Sequence, residues 1–206
     1  MERWLMPNLV FRKVEQTDNY SVLYNLIYKT DPYLYRDLFG NFENAQILLS
    51  QLLEMPGSIF YRDNYYVAVL EPEIVGLAAF YKQYVKWDEK EMRSLFVQNG
   101  IEIPDSFEEV SQYFVETFNY ISMGLNVCNI CVSETMRNKG IAKFILENLI
   151  KFAGKADIEL NVLKDNAPAV HLYEKYGFVI IEEFDDYGGY KQEKVKSLKM
   201  YRSGSS

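Results

Sequence analysis

The stretch that decides the fold is LNVCNICVSETMRNKGIA, residues 125–142. Its first eight residues are mostly apolar or β-branched, which predicts a strand over 125–132. The helical spacing of Ile141, Ile145 and Leu149 predicts a helix that begins near Gly140. A strand that passes through a short loop directly into a helix is typical of an α/β domain.

The loop and first helical turn combine small and basic residues: Arg137, Asn138, Lys139, Gly140, Ile141 and Ala142. Backbone N–H groups at a helix start lack intrahelical partners and carry partial positive charge. Gly140 and Ala142 leave the backbone accessible, and Arg137 and Lys139 add cationic donors. We therefore expect a diphosphate here, and a solvated strand–helix turn is the alternative. The pattern matches neither a P-loop nor a dinucleotide-binding glycine motif.

A second strand–helix–strand unit follows the first. A strand is predicted over 158–163, and Asn166 with Pro168 predicts the start of a helix. Gly177 ends this helix, and a strand is predicted over 178–181.

Together the two units resemble the GNAT superfamily of N-acetyltransferases. The family pattern is an apolar strand, then [RQ]-x-x-G-x-[GA], a second strand, and N-x-x-A-x-x-L-Y-x-x-x-G-F. The matching residues here are Val132, Arg137, Gly140, Ala142, Asn166, Ala169, Leu172, Tyr173, Gly177 and Phe178. The resemblance is strong over 125–183 and weaker over a predicted hairpin at 64–82, and 84–119 resembles nothing.

The resemblance implies an α/β (α+β) fold, with a mixed, mostly antiparallel sheet flanked by helices. Strands 125–132 and 158–163 would be parallel and would splay apart to form the cofactor cleft. We expect one N-acetyltransferase domain over 1–202, with 84–119 as a helical insertion and 203–206 as a flexible tail.

The resemblance also implies the site. Acetyl-CoA would be the co-substrate, its pyrophosphate held by 137–142, and Asn166 would contact it. Tyr173 would be the general acid that protonates the leaving thiolate. The pantetheine arm would pair with the backbone of three strand residues, Ile130, Cys131 and Val132. The implied reaction is direct attack by a primary amine of an unidentified small molecule or peptide, without a covalent acyl-enzyme.

Several alternatives stay open. The fold could serve a non-catalytic CoA-binding sensor or interaction module, or an enzyme that transfers another acyl group. Because the chain has 17 tyrosines, Tyr173 could be a core aromatic. Glu134, Glu159 or an ordered water could be the base. His171 lies two residues from Tyr173 on a helix and faces another direction, so we interpret it as structural.

The inserted segment mixes aromatic and acidic residues. The aromatic ones are Trp87, Phe96, Tyr113, Phe114 and Phe118. They could form the wall of a pocket for a cationic amine. The alternative is a helical pair that packs on the sheet or on a partner subunit.

Composition limits the partners. The 206 residues carry a net charge of −7, and a pI of about 4.9 argues against nucleic-acid binding. No apolar run approaches 18 residues, so no membrane span is expected. No signal peptide is recognised, which predicts a cytoplasmic protein. Family members are often dimers, so a homodimer is an open alternative.

The two cysteines, Cys128 and Cys131, have the C-x-x-C spacing of some redox and zinc sites. Residues three apart on a strand point to opposite faces, so we expect the two sulfurs to diverge. Zinc also needs about four ligands, and the single histidine lies far along the chain. No metal site is therefore predicted.

Overall fold

The computed structural model describes residues 8–81, 87–118, 124–185 and 196–204. These contain one seven-stranded sheet. The strands are β1 (Leu9–Lys13), β2 (Tyr65–Leu70), β3 (Glu73–Tyr81), β4 (Leu125–Val132), β5 (Ile158–Leu163), β6 (Val179–Asp185) and β7 (Lys196–Arg202). Their order is β1-β2-β3-β4-β5-β7-β6, and each neighbouring pair is antiparallel except β4–β5. The predicted fold class is confirmed.

Seven α-helices cover the sheet within the described residues. They are α1 (Tyr20–Thr30), α2 (Pro32–Phe39), α3 (Phe42–Leu52), α4 (Glu89–Gln98), α5 (Phe107–Phe118), α6 (Ile141–Ala153) and α7 (Ala167–Lys175). Helices α1–α5 share one apolar cluster with the sheet, and α6 and α7 share a second. We call the corresponding sheet faces the first face and the second face.

Local chemistry explains a helix that the periodicity did not reveal. The carboxylate of Asp31 accepts a hydrogen bond from the backbone N–H of Leu34 at 3.0 Å, and Pro32 occupies the first turn of α2. Gly40 ends the helix with a φ of 82°. This cap–proline–glycine pattern is a recognised helix signal. It fixes α2 on the first face, where Tyr35 and Phe39 are buried.

The parallel pair splays as the resemblance implied. Pairing of β4 with β5 runs only from Leu125↔Ile158 to Val127↔Leu160. Beyond Val127, β4 continues with β3 while β5 continues with β7. The two strands therefore form a wedge whose apex is the last pair, Val127 and Leu160.

A β-bulge in β4 lies next to this apex. Val127 pairs with Phe80 and Asn129 pairs with Ala79, which leaves Cys128 without a partner on β3. The extra residue interrupts the alternation of side chains. Cys128 and Cys131 therefore both contact the first-face cluster, and the expectation that they point to opposite faces is wrong. Both are free cysteines.

The strands β4 and β5 are brought together at a crowded turn. The Leu125 N–H donates to the carbonyl oxygen of Asp157 at 2.7 Å, and a Cβ added at Gly124 would lie 2.3 Å from that oxygen. The N–H of Gly204 donates to the Asp157 carboxylate at 3.0 Å. Residues 205–206 of the predicted tail lie outside the described residues.

We expect Gly124→Ala to destabilise the protein by about 1–3 kcal/mol, because the methyl group must displace the backbone at Asp157. Urea unfolding followed by circular dichroism measures this loss. Gly57→Ala is a suitable comparison. A Cβ there has no heavy atom within 4 Å, so the substitution costs only the backbone strain of a positive φ. Equal midpoints for Gly124→Ala and the unmodified protein would contradict the close approach.

Candidate functional site

The edge of β4 that faces β5 beyond the apex contains three of the predicted site residues. Ile130 and Val132 are half-buried and pack against the second-face cluster, and Cys131 is buried in the first-face cluster. Beyond Val127, this edge has no strand partner among the described residues. An unpaired edge can bind an extended amide-containing chain as an added strand would.

The loop before α6 is exposed from Arg137 to Gly140. Two residues with positive φ, separated by Lys139, shape it: Asn138 has a φ of 61° and Gly140 a φ of 85°. Gly140 lies directly before the helix, and its carbonyl accepts from the Phe144 N–H at 3.0 Å. A Cβ built on Gly140 would have no heavy atom within 4 Å, so the approach to the helix start is open.

Two cations surround this helix start. Arg137 is exposed, and none of the described carboxylates forms an ion pair with it. The amine of Lys139 lies 3.5 Å from the sulfur of Met136. The nearby Glu134 instead pairs with Lys29 of α1 at 2.8 Å. The loop thus combines unpaired N–H groups with positive charge, which suits an anion.

The predicted acid, Tyr173, lies on α7 and is only 8% exposed. Its ring is 5.8 Å from that of Phe178, and it belongs to the cluster that contains both residues of the apex pair, Val127 and Leu160. Burial alone raises the pKa of Tyr173 to about 12. The phenol is therefore protonated at any physiological pH.

Asn166 is exposed at the start of α7. Its side-chain oxygen accepts from the Ala169 N–H at 3.4 Å, which leaves its amide NH₂ as an outward donor. Helix α7 is tied to α6 because the Tyr176 hydroxyl donates to Glu147 at 2.8 Å. This contact joins the C-terminal end of α7 to the middle of α6.

The two predicted base candidates differ in environment. Glu134 is exposed, and its ion pair with Lys29 lowers its pKa, which makes it a weaker base. The Glu159 side chain is 16% exposed and lies 3.4 Å from the amine of Lys199. Its Oε2 atom is buried and has no hydrogen-bond partner among the described residues. His171 is exposed on α7.

Neither cysteine is prepared for nucleophilic attack. Burial raises the pKa of the Cys131 thiol, and it raises the pKa of Cys128 further. The thiolate, which is the reactive form, is therefore disfavoured at both positions. The described residues contain no cluster of three or more histidine, cysteine or carboxylate side chains that could hold a metal ion.

The inserted segment packs as part of the interior. Trp87 donates its ring N–H to Ser111 at 2.8 Å and stacks on Phe114 at 4.6 Å. Phe96 is fully buried. These aromatic side chains fill the first-face cluster, which favours the packed helical pair over a pocket wall. The side chain of Phe118 lies outside the described residues.

Among the described helices, none is both long and apolar enough to cross a membrane.

Known proteins are similar to this chain in sequence and in fold. A sequence model described as the acetyltransferase (GNAT) family matches residues 109–178. Over these residues the chain is similar to GNAT acetyltransferases. The L-amino acid N-acetyltransferase AaaT of Escherichia coli (strain K12) is 42% identical over 55 residues, which are 25% of this chain and 34% of that protein. The match thus spans about a third of that relative's length.

Solved structures share the fold of nearly the whole chain. An N-acetyltransferase from Staphylococcus aureus Mu50 has a TM-score of 0.64 at 16% identity, with 93% of this chain and 99% of that chain covered. A GNAT family acetyltransferase from Elizabethkingia anophelis, solved with acetyl-CoA bound, has a TM-score of 0.54 at 17% identity, with 95% and 98% covered. The predicted family resemblance is confirmed, and the roles of individual residues stay predictions.

Proposed function

We propose that this protein is an acetyl-CoA-dependent N-acetyltransferase that acts on a primary amine by direct attack. The observation that carries the proposal is the wedge between β4 and β5, together with the open start of α6 and with Tyr173 in the same apolar cluster as the apex pair. Residues 1–202 would form one catalytic domain, since the single sheet uses strands from Leu9 to Arg202.

The residues along the wedge fit an acyl carrier with a long amide-containing arm and a diphosphate. The β4 edge at Ile130–Val132 would pair with the arm. The N–H groups of Ile141 and Ala142, with Arg137 and Lys139, would bind the diphosphate. The amide NH₂ of Asn166 would donate to the carrier from the opposite side. Bound in this way, acetyl-CoA would supply an activated thioester.

Tyr173 would assist departure of the thiolate. The amine nitrogen bonds to the carbonyl carbon, the C–S bond breaks, and its electron pair goes to sulfur. A thiol has a pKa near 8.5, well below the value of about 12 for Tyr173. Complete proton transfer to a solvated thiolate would therefore be uphill. In a water-excluded wedge the hydrogen bond from Tyr173 still stabilises the developing negative charge.

Glu159 is the better candidate for the base. A lysine-like ammonium has a pKa about 3.4 units above pH 7, so deprotonation costs roughly 4.6 kcal/mol without help. Ile158 and Leu160 pack in the second-face cluster, so Glu159 between them points to the first face, away from Tyr173. An amine held there would approach the apex from the side opposite the acid. The hydrogen bond and ion pair with Lys29 lower the pKa of Glu134, which makes it the weaker base.

The raised pKa values of the two cysteine thiols support a direct transfer. A covalent acyl-enzyme would need a reactive nucleophile, and burial raises the pKa of both Cys128 and Cys131. The name of the curated relative, an L-amino acid N-acetyltransferase, supports a primary amine as the acceptor.

Calorimetric titration with acetyl-CoA and a thiol-release assay with a panel of amines test the proposal. We expect saturable binding and amine-dependent release of CoA. Absence of binding at millimolar acetyl-CoA would contradict it. Tight CoA binding without turnover on any amine would favour a sensor or interaction module, and a faster rate with succinyl- or longer acyl-CoA would indicate a different acyl group.

The rate should not decline on the alkaline side before about pH 10. Tyr173 acts in its protonated form, and its raised pKa, about 12 instead of 10, moves the loss of that form to higher pH. Measuring kcat from pH 6 to 10.5 checks this. A decline with an apparent pKa below 10 that disappears in Tyr173→Phe would contradict the burial of the phenol.

A further inference from the structure

A polar strip crosses the first face of the sheet beside the apex. It consists of Asn126 on β4, Glu159 and Asn161 on β5, and Lys199 and Tyr201 on β7. The register places them side by side: Asn126↔Glu159, Glu159↔Tyr201 and Asn161↔Lys199. We call these five residues the polar shelf. Apolar residues occupy the same strands on the second face.

The shelf contains a pair of opposite charges whose carboxylate has one oxygen without a hydrogen bond. The side chains of Glu159 and Lys199 are 16% and 22% exposed, and Lys199 Nζ lies 3.4 Å from Glu159 Oε2. That oxygen is buried and accepts no hydrogen bond from any described residue. Withdrawing two charges from water is costly unless good hydrogen bonds compensate. An added donor at Glu159 would recover part of this cost.

The position of the shelf links this pair to the proposed reaction. Glu159 directly precedes Leu160, the β5 residue of the apex pair, and strand residues are about 3.3 Å apart. Tyr173 belongs to the opposite face. A nitrogen bound at Glu159 would therefore lie close to the thioester carbon. It would approach from the first face, and the thiolate would leave on the second face, where Tyr173 lies.

We propose that the polar shelf binds the charged head of an α-amino acid. The ammonium group would bind Glu159, which takes its proton, and the carboxylate would bind Lys199 with Asn161 as a further donor. The contact between Glu159 and Lys199 is thus replaced by one contact of each side chain with the substrate. This inference rests on the proposed function and names its acceptor class.

The same geometry disfavours other amines. A polyamine would bring a second positive charge towards Lys199, where like charges repel. An amino acid amide or ester would leave the half-buried Lys199 without the carboxylate and lose that charge-assisted contact. The shelf therefore predicts discrimination by the carboxylate more than by the side chain of the acceptor.

Calorimetry on the CoA-loaded protein tests the inference without requiring turnover. The probes are the twenty L-amino acids, their amides, and spermidine. We expect at least one free amino acid to bind about tenfold or more tightly than its amide. Lys199→Gln should weaken the binding of the free amino acid by about tenfold. The affinity for the amide should change by less than about twofold. The matched control is Lys151→Gln, an equal charge change at an exposed position in the last turn of α6, which should alter neither.

Several results would overturn the inference. They are equal affinities for amino acid and amide, tighter binding of spermidine, or an equal loss for both probes in Lys199→Gln. The comparison of amino acid with amide in the unmodified protein decides the question even where the variant does not fold. Carboxylate-selective binding without acetylation would sink the proposed function alone, whereas acetylation of amides and amino acids alike would sink this inference alone.

Discussion

Tyr173→Phe is expected to lower kcat by roughly 10² to 10⁴, the contribution usual for a general acid. The ring stays, so its packing against Phe178 is retained. Only the hydroxyl that stabilises charge on sulfur is lost. Because the hydroxyl acts mainly in the transition state, the acetyl-CoA dissociation constant should change by less than about twofold. Stopped-flow or steady-state thiol release, together with calorimetry, separates the two quantities.

Tyr176→Phe is the matched control for this experiment. It removes a hydroxyl three residues later, directly after the end of α7, where that hydroxyl donates to Glu147. We expect a loss of stability of about 0.5–1.5 kcal/mol and an unchanged kcat. Similar kcat values for Tyr173→Phe and the unmodified protein would show that Tyr173 is a core aromatic. The base and the helix start would then have to account for all of the rate.

The sequence was sufficient wherever the deciding forces are local. The predicted strands at 125–132 and 158–163 agree with the observed bounds of β4 and β5. Helix α2 was missed although its signals are local too. Asp31, Pro32 and Gly40 mark its two ends, but its buried positions do not form a long periodic run.

The cysteine prediction failed for a reason that a single strand cannot reveal. Alternation along β4 was assumed to be continuous, but the bulge at Cys128 depends on how β4 pairs with β3. The residues involved are far apart in the chain, since Ala79 pairs with Asn129. Only the assembled sheet determines that Cys128 and Cys131 share a face.

Electrostatic properties of the candidate site are also set by distant partners. Glu134 is a weak base because Lys29, 105 residues earlier, forms an ion pair with it. Glu159 acquires its half-buried contact from Lys199 on a strand that comes last in the chain. The pKa of Tyr173 depends on its burial in the second-face cluster. Sequence patterns therefore located these side chains but not their protonation.

Gly140→Ala is expected to raise the dissociation constant for CoA by about tenfold or more, since the bound diphosphate needs the backbone face that the methyl group would occupy. In the free protein the new Cβ meets no heavy atom within 4 Å, so it costs only the strain of a left-handed residue, about 1–2 kcal/mol. Calorimetry with CoA measures the affinity, and urea unfolding measures the strain.

Gly57→Ala separates the two effects. Gly57 has a φ of 94°, is exposed, and likewise has no heavy atom within 4 Å of an added Cβ. It lies between α3 and β2, far along the chain from the loop before α6. Both variants should lose similar stability, and only Gly140→Ala should lose affinity for CoA. If both kept full affinity, the start of α6 would not be the diphosphate site, and the wedge alone would have to hold the carrier.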